Sequence, residues 1–386
     1  MINDNQPLIE PDEHVDESAL TEKEQDMLNS VRFSRIVLPM LLGLGVVGYM
    51  MWRSFQQENL PELNWTITTV ALLLLCVFLL GLRHIAYAIR LRVITEGEFS
   101  WRKCIELIFI WEFSSAITPT SVGGSGVALF VLSQEKLPAG KIAAIIFYTI
   151  ILDTVFFVIG LPILFIFLGY PMIFPEGDAG GSVITNSFFV SYILMIIYGS
   201  LFFYGVFVSP NRIKQFLAWL TSWKWLKRFQ EKAVTLGEDM VLTSGEIKTK
   251  PLSYHILAFG STAAAWSIRF GLVMILMIAF VPSVKEGFGW AQQTLLYGRL
   301  EAMYVVLALS PTPGGTGIAE AAFGPFLRDF IVDSNGQYAA GMAVLIAFIW
   351  RLLTYYFYLL AGTVIVPNWI RGVVNERIRK RKAKTV

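Results

Sequence analysis

The sequence predicts an all-α polytopic membrane protein with six full spans and two re-entrant helical hairpins arranged as an inverted repeat. Of its 386 residues, 55% are hydrophobic and only 16% are charged, and the mean hydropathy is +0.58. A soluble globular protein has about 25% charged residues. The apolar residues fall into many separate runs, as in multi-pass membrane proteins. This composition excludes an ordinary cytosolic enzyme, a nucleic-acid-binding protein and a disordered chain.

The two ends of the chain are predicted to be charged cytoplasmic tails. Residues 1–35 carry nine acidic and three basic residues, which indicates a solvated acidic tail. Residues 367–386 carry seven basic residues and predict a basic tail. Between these tails, residues 36–366 are predicted to form a single transmembrane domain.

Six apolar runs approach or exceed the length of about 20 residues that a membrane span requires. They are residues 36–52, 66–89, 139–169, 187–208, 252–281 and 338–366. The run 252–281 contains Gly260 and Gly271, so two spans there remain an alternative to one. The basic and aromatic loop 209–251 predicts one or two amphipathic helices on the membrane surface.

Two further segments, 104–133 and 289–327, each consist of two shorter apolar runs divided by a Pro and Gly cluster. The clusters contain Pro119, Gly123, Gly124 and Ser125 in the first segment, and Pro313, Gly314, Gly315 and Thr316 in the second. A broken helix is disfavoured in lipid but tolerated where protein or a wet cavity surrounds it. Both segments are therefore predicted to be re-entrant hairpins.

The distribution of basic residues predicts the topology. With the N-terminus inside, 25 of the 31 Lys and Arg residues lie on the cytoplasmic side and three lie outside. This asymmetry predicts cytoplasmic N- and C-termini in a bacterial inner membrane. The two hairpins then enter from opposite sides, and inverted repeats with broken helices are typical of transporters that bind substrate near the midplane.

The turn of each hairpin is a candidate substrate site. Glycine lets the backbone approach a ligand closely. We expect Ser125 and Thr316 to cap the half-helices that follow, whose unpaired N–H groups would attract a phosphate or carboxylate. The alternative is that the glycines only permit tight packing. Glu320, in the first turn of the second half-helix, stabilises that helix end or contacts the substrate.

Charged residues within the apolar runs are the second set of candidates. They are Asp153, Arg269, Arg299, Glu301 and Arg351. A charge at the bilayer centre costs about 3 kcal/mol or more, so each should face a cavity or a partner. Asp153 and Arg351 follow the two hairpins and are expected to pair, either as a structural salt bridge or as part of the substrate site. Arg269 and Arg299 are expected to grip a lipid phosphate.

Three segments resemble one family of membrane proteins. Residues 310–320, Ser-Pro-Thr-Pro-Gly-Gly-Thr-Gly-Ile-Ala-Glu, and residues 119–124 resemble paired motifs of the flippase-like transmembrane family related to lysylphosphatidylglycerol synthase. Trp350-Arg351, followed by two tyrosines, resembles its last span. The resemblance covers residues 66–366 and is to the membrane half of the multiple peptide resistance factor, without its soluble aminoacyl-transferase domain.

The resemblance implies lipid translocation and does not imply the synthase reaction. Many members carry an acidic residue directly after the first Gly-Gly and a basic residue three positions later. Ser125 and Ala128 stand at these positions here, which predicts a substrate of different headgroup charge.

The function expected from these features is movement of a phospholipid or polyprenyl-type lipid headgroup across the bilayer. The expected partners are membrane lipids with an anionic or phosphate-containing headgroup, and no nucleic acid. The two cysteines and three histidines are scattered, so we expect no metal site, no cofactor and no catalytic residues. An ion- or proton-coupled solute transporter is the first alternative, and a lipid-modifying transferase is the second.

Overall fold

The structure is a computed structural model that describes most of the chain beyond residue 64. The described residues are 41, 45, 48, 49, 52, 65–118, 131–132, 137–169, 173–174, 179–223, 227, 230–281, 284, 289–308, 310–333 and 336–385. The predicted acidic tail and almost all of the first predicted span, 36–52, lie outside them. So do four candidate site residues of the first hairpin: Pro119, Gly123, Gly124 and Ser125.

Within the described part, the chain is helical apart from turns and one isolated bridge between Val332 and Tyr338. The helices are α1 Ile67–Ile94, α2 Trp101–Ile117, α3 Ala139–Leu168, α4 Ala179–Phe203, α5 Pro210–Thr221, α6 Gln230–Thr249, α7 Leu252–Phe280, α8 Trp290–Ala308, α9 Ile318–Leu327, α10 Ala340–Arg351 and α11 Phe357–Thr385. Short π-helical segments, Tyr204–Val208 and Leu352–Tyr356, continue α4 and join α10 to α11.

Five of the described helical stretches are long and apolar enough to cross a membrane. They are Ile67–Ile94, Gly140–Leu168, Val183–Val208, Leu252–Phe280 and Ala340–Glu376. Each coincides with one of the predicted long runs. The run 252–281 forms one unbroken helix, because each of its two glycines costs only about 1 kcal/mol in a helix and apolar packing exceeds that cost. The last stretch continues as helix through the predicted basic tail to Thr385.

The packing forms two apolar cores that share helix α3. One core joins α3 to α1, α2 and α11, with Leu107, Ile145 and Leu359 in its interior. The other joins α3 to α7, α8, α9 and α10, with Phe270 and Phe323 in its interior. Helices α1 and α7 pack along each other. In the loop 209–251, α5 and α6 pack together, and α6 also contacts α3.

The second Pro and Gly cluster forms a tight turn between α8 and α9, two helices that contact each other. Gly314, Gly315 and Gly317 have φ values of +56°, +71° and +84°. This left-handed region favours glycine, because a Cβ atom there meets the backbone. A Cβ added at Gly314 would also lie 2.2 Å from Cε2 of Tyr355. Glycine at this position therefore provides both the turn geometry and the close approach to Tyr355.

Candidate functional site

The main candidate site is a cavity of about 440 Å³ that lies between the two apolar cores. Helices α2, α3, α4, α7, α8, α9 and α10 and the α8–α9 turn contribute to its lining. Its charged lining residues are Glu112, Asp153, Arg269 and Arg351. Aromatic rings, including those of Trp266 and Tyr304, cover much of the remaining wall. The sequence thus surrounds a set of charges with apolar helices, which marks a functional site in a membrane protein.

Arg351 holds the α8–α9 turn against α10. Its Nε donates to Glu320 Oε1 at 2.9 Å, its Nη1 donates to the carbonyl oxygen of Gly314 at 3.0 Å, and its Nη2 donates to Thr316 Oγ1 at 3.2 Å. The guanidinium carbon lies 4.0 Å from the centre of the Tyr355 ring. With all three nitrogens engaged, Arg351 supports the turn that forms part of the cavity wall.

The amides of this turn are largely engaged within it. Gly315 N donates to Thr312 O at 3.0 Å, and Thr316 N donates to Pro313 O at 3.1 Å. Gly317 N donates to Glu320 Oε2 at 2.7 Å. The prediction that these N–H groups are free to bind an anion is therefore wrong, because the glycine-rich chain folds back tightly enough to satisfy them.

Helix α9 is capped differently from the sequence-based prediction. Its N-cap is Gly317, and the Glu320 carboxylate accepts the N-cap amide. Thr316 instead donates its hydroxyl to Pro313 O at 2.7 Å, so the prediction that Thr316 caps the helix is wrong. The prediction that Glu320 stabilises the helix end is confirmed. A carboxylate in the first turn also complements the helix dipole.

Arg269 shares one carboxylate with a second arginine. Arg83 Nη2 lies 2.6 Å from Glu112 Oε1, and Arg269 Nη2 lies 3.5 Å from Glu112 Oε2. The Arg269 guanidinium carbon lies 4.9 Å from the centre of the Trp266 ring and 5.4 Å from that of Tyr304. Its Nε is buried with no hydrogen-bond partner among the described residues. Arg269 therefore lines the cavity and carries a buried donor without a partner in the described part of the chain.

Asp153 and Arg351 line the same cavity but do not form the predicted ion pair. Asp153 Oδ1 instead accepts from Arg90 Nη1 at 2.7 Å and from Trp266 Nε1 at 2.9 Å. Arg351 is paired with Glu320. Each charged group pairs with a nearer partner instead: Asp153 with Arg90 on α1, and Arg351 with Glu320 on α9.

The structure adds two buried arginines, Arg83 and Arg90, that the sequence-based prediction did not include among the site residues. Their spacing along the sequence could have indicated them. Arg83 and Arg90 belong to the 25 basic residues that the predicted topology counts on the cytoplasmic side, yet both are buried on α1, which continues to Ile94. They are seven residues apart, or two helical turns, and therefore share one face of the helix. Tyr87, midway between them, lies under both guanidinium groups, at 5.0 and 4.6 Å from the ring centre.

Among the described residues, the charged groups in and around the cavity leave a positive excess. The arginines are Arg83, Arg90, Arg269 and Arg351, and the carboxylates that pair with them are those of Glu112, Asp153 and Glu320. Four cations against three anions leave one positive charge in a low-dielectric setting. An anionic group that enters the cavity would therefore neutralise the cluster.

Arg299 and Glu301 do not line this cavity. Arg299 is buried, and it donates to Phe326 O at 3.1 Å and to Asp329 Oδ2 at 2.6 Å. These bonds tie α8 to the end of α9, so the geometry gives no support to the predicted phosphate contact. Glu301 is 1% exposed, and its Oε1 has no hydrogen-bond partner in the described part of the chain.

Only some of the predicted site residues of the second Pro and Gly cluster line the cavity. Gly314 and Gly315 line the cavity, whereas Pro313 and Thr316 shape the turn behind it. Of the ten candidate site residues that the structure describes, five line the cavity: Asp153, Arg269, Gly314, Gly315 and Arg351. Glu112, which belongs to the predicted hairpin segment 104–133, also contributes directly to the wall.

The helical fold and its charged interior cavity define an integral membrane protein. Residues 40–362 match the family described as the lysylphosphatidylglycerol synthase TM region, and the chain belongs to this family. A relative called UPF0104 membrane protein, from Archaeoglobus fulgidus, is 25% identical over 321 residues, which cover 79% of this chain and 89% of the relative. No solved structure matches the chain. The resemblance seen in residues 310–320 is thus confirmed at the level of the family.

Proposed function

We propose that this protein is a flippase that carries the headgroup of a phospholipid or polyprenyl-type lipid through its interior cavity. The observation that carries the proposal is the positive excess of the charged cluster in and around the cavity, where Arg269 and Arg351 are set among apolar helices. A lipid phosphate is the anion that such a site would meet most often inside a membrane. Arginine binds phosphate through parallel N–H groups.

Arg269 is the residue that we assign to the headgroup phosphate. It contacts Glu112 only at 3.5 Å and keeps a buried Nε without a partner among the described residues. A phosphate oxygen would supply that missing acceptor. Arg351 serves the site indirectly in this proposal, because its nitrogens already hold the turn.

The acyl chains are proposed to remain in lipid beside α4. This helix turns Met195, Tyr198 and Phe202 towards the cavity. Its opposite face exposes Ile197 and Leu201, at 58% and 67% of their surface. Helix α4 is thus a wall one helix thick between the cavity and the lipid, and a headgroup could enter along its edge while its tails stay outside.

We propose that alternating access moves the headgroup across the membrane. Residues 290–327, with α8, the turn and α9, would form one re-entrant hairpin, and residues 104–133 would form its inverted counterpart. Rocking of one repeat against the other would expose the cavity to each leaflet in turn. The same proposal places both termini in the cytoplasm of a bacterial cell, in keeping with the distribution of basic residues.

We propose transport, not lipid modification, as the activity. General acid–base catalysis requires a carboxyl group that is available to exchange a proton with the substrate. In the cavity, Glu112 is held by Arg83 and Arg269, and Asp153 is held by Arg90 and Trp266. These contacts suit a binding site of fixed charge better than a site that transfers protons to a substrate.

The proposal can be tested in liposomes that contain the purified protein and a trace of fluorescent phosphatidylglycerol. Chemical quenching from outside measures how fast inner-leaflet probe reaches the outer leaflet. We expect transport by the unmodified protein and its loss in Arg269→Gln. Arg328→Gln is the matched control, because Arg328 is exposed and contacts the Tyr338 ring instead of the cavity. Equal rates for Arg269→Gln and the unmodified protein would contradict the assignment of the site.

A further inference from the structure

Glu301 differs from the three carboxylates that pair with the cavity arginines. Glu112, Asp153 and Glu320 each accept from an arginine. Glu301 is 1% exposed, and its Oε1 has no hydrogen-bond partner among the described residues. It is therefore a deeply buried carboxyl group in the membrane domain, and no cation among the residues that the structure describes forms an ion pair with it.

The carboxyl group of Glu301 lies against the backbone of α3. A Cβ added at Gly160 would be 2.5 Å from Glu301 Oε1, so the absence of a side chain at Gly160 makes room for the carboxyl group. Two tyrosines lie within electrostatic range: Tyr192 of α4 and Tyr297 of α8 itself. Tyr192 donates to Val158 O at 3.2 Å, and Tyr297 shares a hydrogen bond with Ser267 of α7 at 2.9 Å.

The charged groups of the helices around α8 are engaged elsewhere. Arg269 of α7 pairs with Glu112, Asp153 of α3 pairs with Arg90, and Glu320 of α9 pairs with Arg351. An ionised carboxylate without a partner is strongly disfavoured in a low-dielectric interior. In the arrangement seen here, Glu301 is consequently stable only in its protonated, neutral form. Losing the proton would require α8 to separate from α3 and admit water or a cation.

Helix α8 connects Glu301 to the cavity. Tyr304, one turn after Glu301, lines the cavity, as do Leu307 and Ala308 at the end of the same helix. The helix then leads into the turn that contains Gly314 and Gly315. A shift of α8 away from α3 would therefore move part of the cavity wall and its turn together.

We propose that Glu301 is a proton-binding site whose release and uptake of a proton drive the movement of α8, so that lipid transport is coupled to the proton gradient. This inference rests on the proposed flippase function. The step needs no other reactant: a proton leaves the carboxyl oxygen for water on one side of the membrane, and a proton from the other side replaces it. The protonated state stabilises the closed α3–α8 contact, and the ionised state stabilises the open one.

The experiment compares lipid movement in liposomes with and without an imposed pH difference. We expect the unmodified protein to move fluorescent phosphatidylglycerol faster when a pH difference is present. Glu301→Gln mimics the protonated state and therefore favours the closed contact, so it should move the lipid slowly and at a rate that does not respond to the pH difference. Glu238→Gln is the control, because Glu238 is exposed and pairs with Lys214 on the loop helices, and it should keep the response to pH.

The outcomes separate the coupling from the transport function. Lipid movement that is unaffected by the pH difference, or that follows a sodium gradient instead, overturns the proton site and leaves the flippase function standing. A full pH response in Glu301→Gln also overturns it. If no variant moves lipid, the flippase function fails, and infrared spectroscopy still tests Glu301. The carbonyl band of a neutral carboxylic acid should then be present at neutral pH and absent in Glu301→Gln, and its absence from the unmodified protein refutes the inference.

Discussion

Arg351 on α10 donates to Glu320 on α9 at 2.9 Å, and both side chains are buried, at 7% and 2% exposure. The two residues lie 31 positions apart and join the last span to the first turn of the half-helix. Each also serves a second purpose, because Arg351 binds the Gly314 carbonyl and Glu320 accepts the Gly317 amide. The pair therefore fixes the shape of the turn at the cavity.

Removing Arg351 should destabilise the protein strongly. Loss of one partner from a buried ion pair leaves an uncompensated charge, which costs about 3–5 kcal/mol. Arg351→Ala should accordingly unfold at a lower temperature in detergent, as measured by the fluorescence of a thiol-reactive dye on the buried cysteines Cys76 and Cys104. The double variant Arg351→Met with Glu320→Leu removes both charges and should lose less stability than Arg351→Ala. A double variant that is less stable than Arg351→Ala would contradict this account of the pair.

The spans were predictable because membrane insertion imposes a strong and local rule on the sequence. A helix that crosses the bilayer must be apolar for about 20 residues, and the runs that became α1, α3, α4 and α7 satisfy that rule in sequence alone. The limits of the helices were less predictable. Helix α1 continues past the end of its apolar run, 66–89, to Ile94. It therefore carries Arg90 into the core together with Arg83, which lies inside the run.

The site was only partly predictable, because pairing depends on tertiary distances that the sequence does not contain. Buried charges such as Asp153 and Arg269 were recognisable by their cost in an apolar run. Their partners were not, since Arg90 and Glu112 come from other helices and other runs. Arg299 met the same sequence criterion as Arg269, yet it pairs with Asp329 away from the cavity.

Substitution by alanine should destabilise the protein to different extents at Gly314 and Gly315, two neighbouring glycines of the α8–α9 turn. Both have positive φ, a region that costs a residue with a Cβ about 1–2 kcal/mol. At Gly315 the nearest atoms to an added Cβ are 4.0 Å away, whereas at Gly314 an added Cβ meets the Tyr355 ring at 2.2 Å. Gly314→Ala should therefore lower the unfolding temperature in detergent more than Gly315→Ala. Equal decreases in the unfolding temperature of the two variants would mean that the Tyr355 ring moves aside without cost.

The proposed topology predicts which loops face the cytoplasm. Single cysteines placed at Ser222, an exposed residue after α5, and within residues 169–182 should react from opposite sides of the membrane. The two native cysteines are buried and should contribute little background. A membrane-impermeant maleimide applied to intact cells and to inside-out vesicles makes the comparison. Labelling of both positions from one side would refute the assignment of α4 as a membrane span.

The contact between α3 and α8 provides the final prediction. Gly160→Ala should destabilise the protein by about 1–3 kcal/mol, because the added methyl group would lie 2.5 Å from Glu301 Oε1 in a packed interior. Gly271→Ala is the matched control within a helix, since an added Cβ there meets nothing within 4 Å, and it should be neutral or slightly stabilising. In a background of Glu301→Ala, the shorter side chain leaves room for the methyl group, so Gly160→Ala should then cost much less. Thermal unfolding in detergent of the unmodified protein, Gly160→Ala, Glu301→Ala and the double variant measures the coupling between the two positions. A cost for Gly160→Ala that is the same in both backgrounds would show that the carboxyl group of Glu301 does not occupy the space over Gly160.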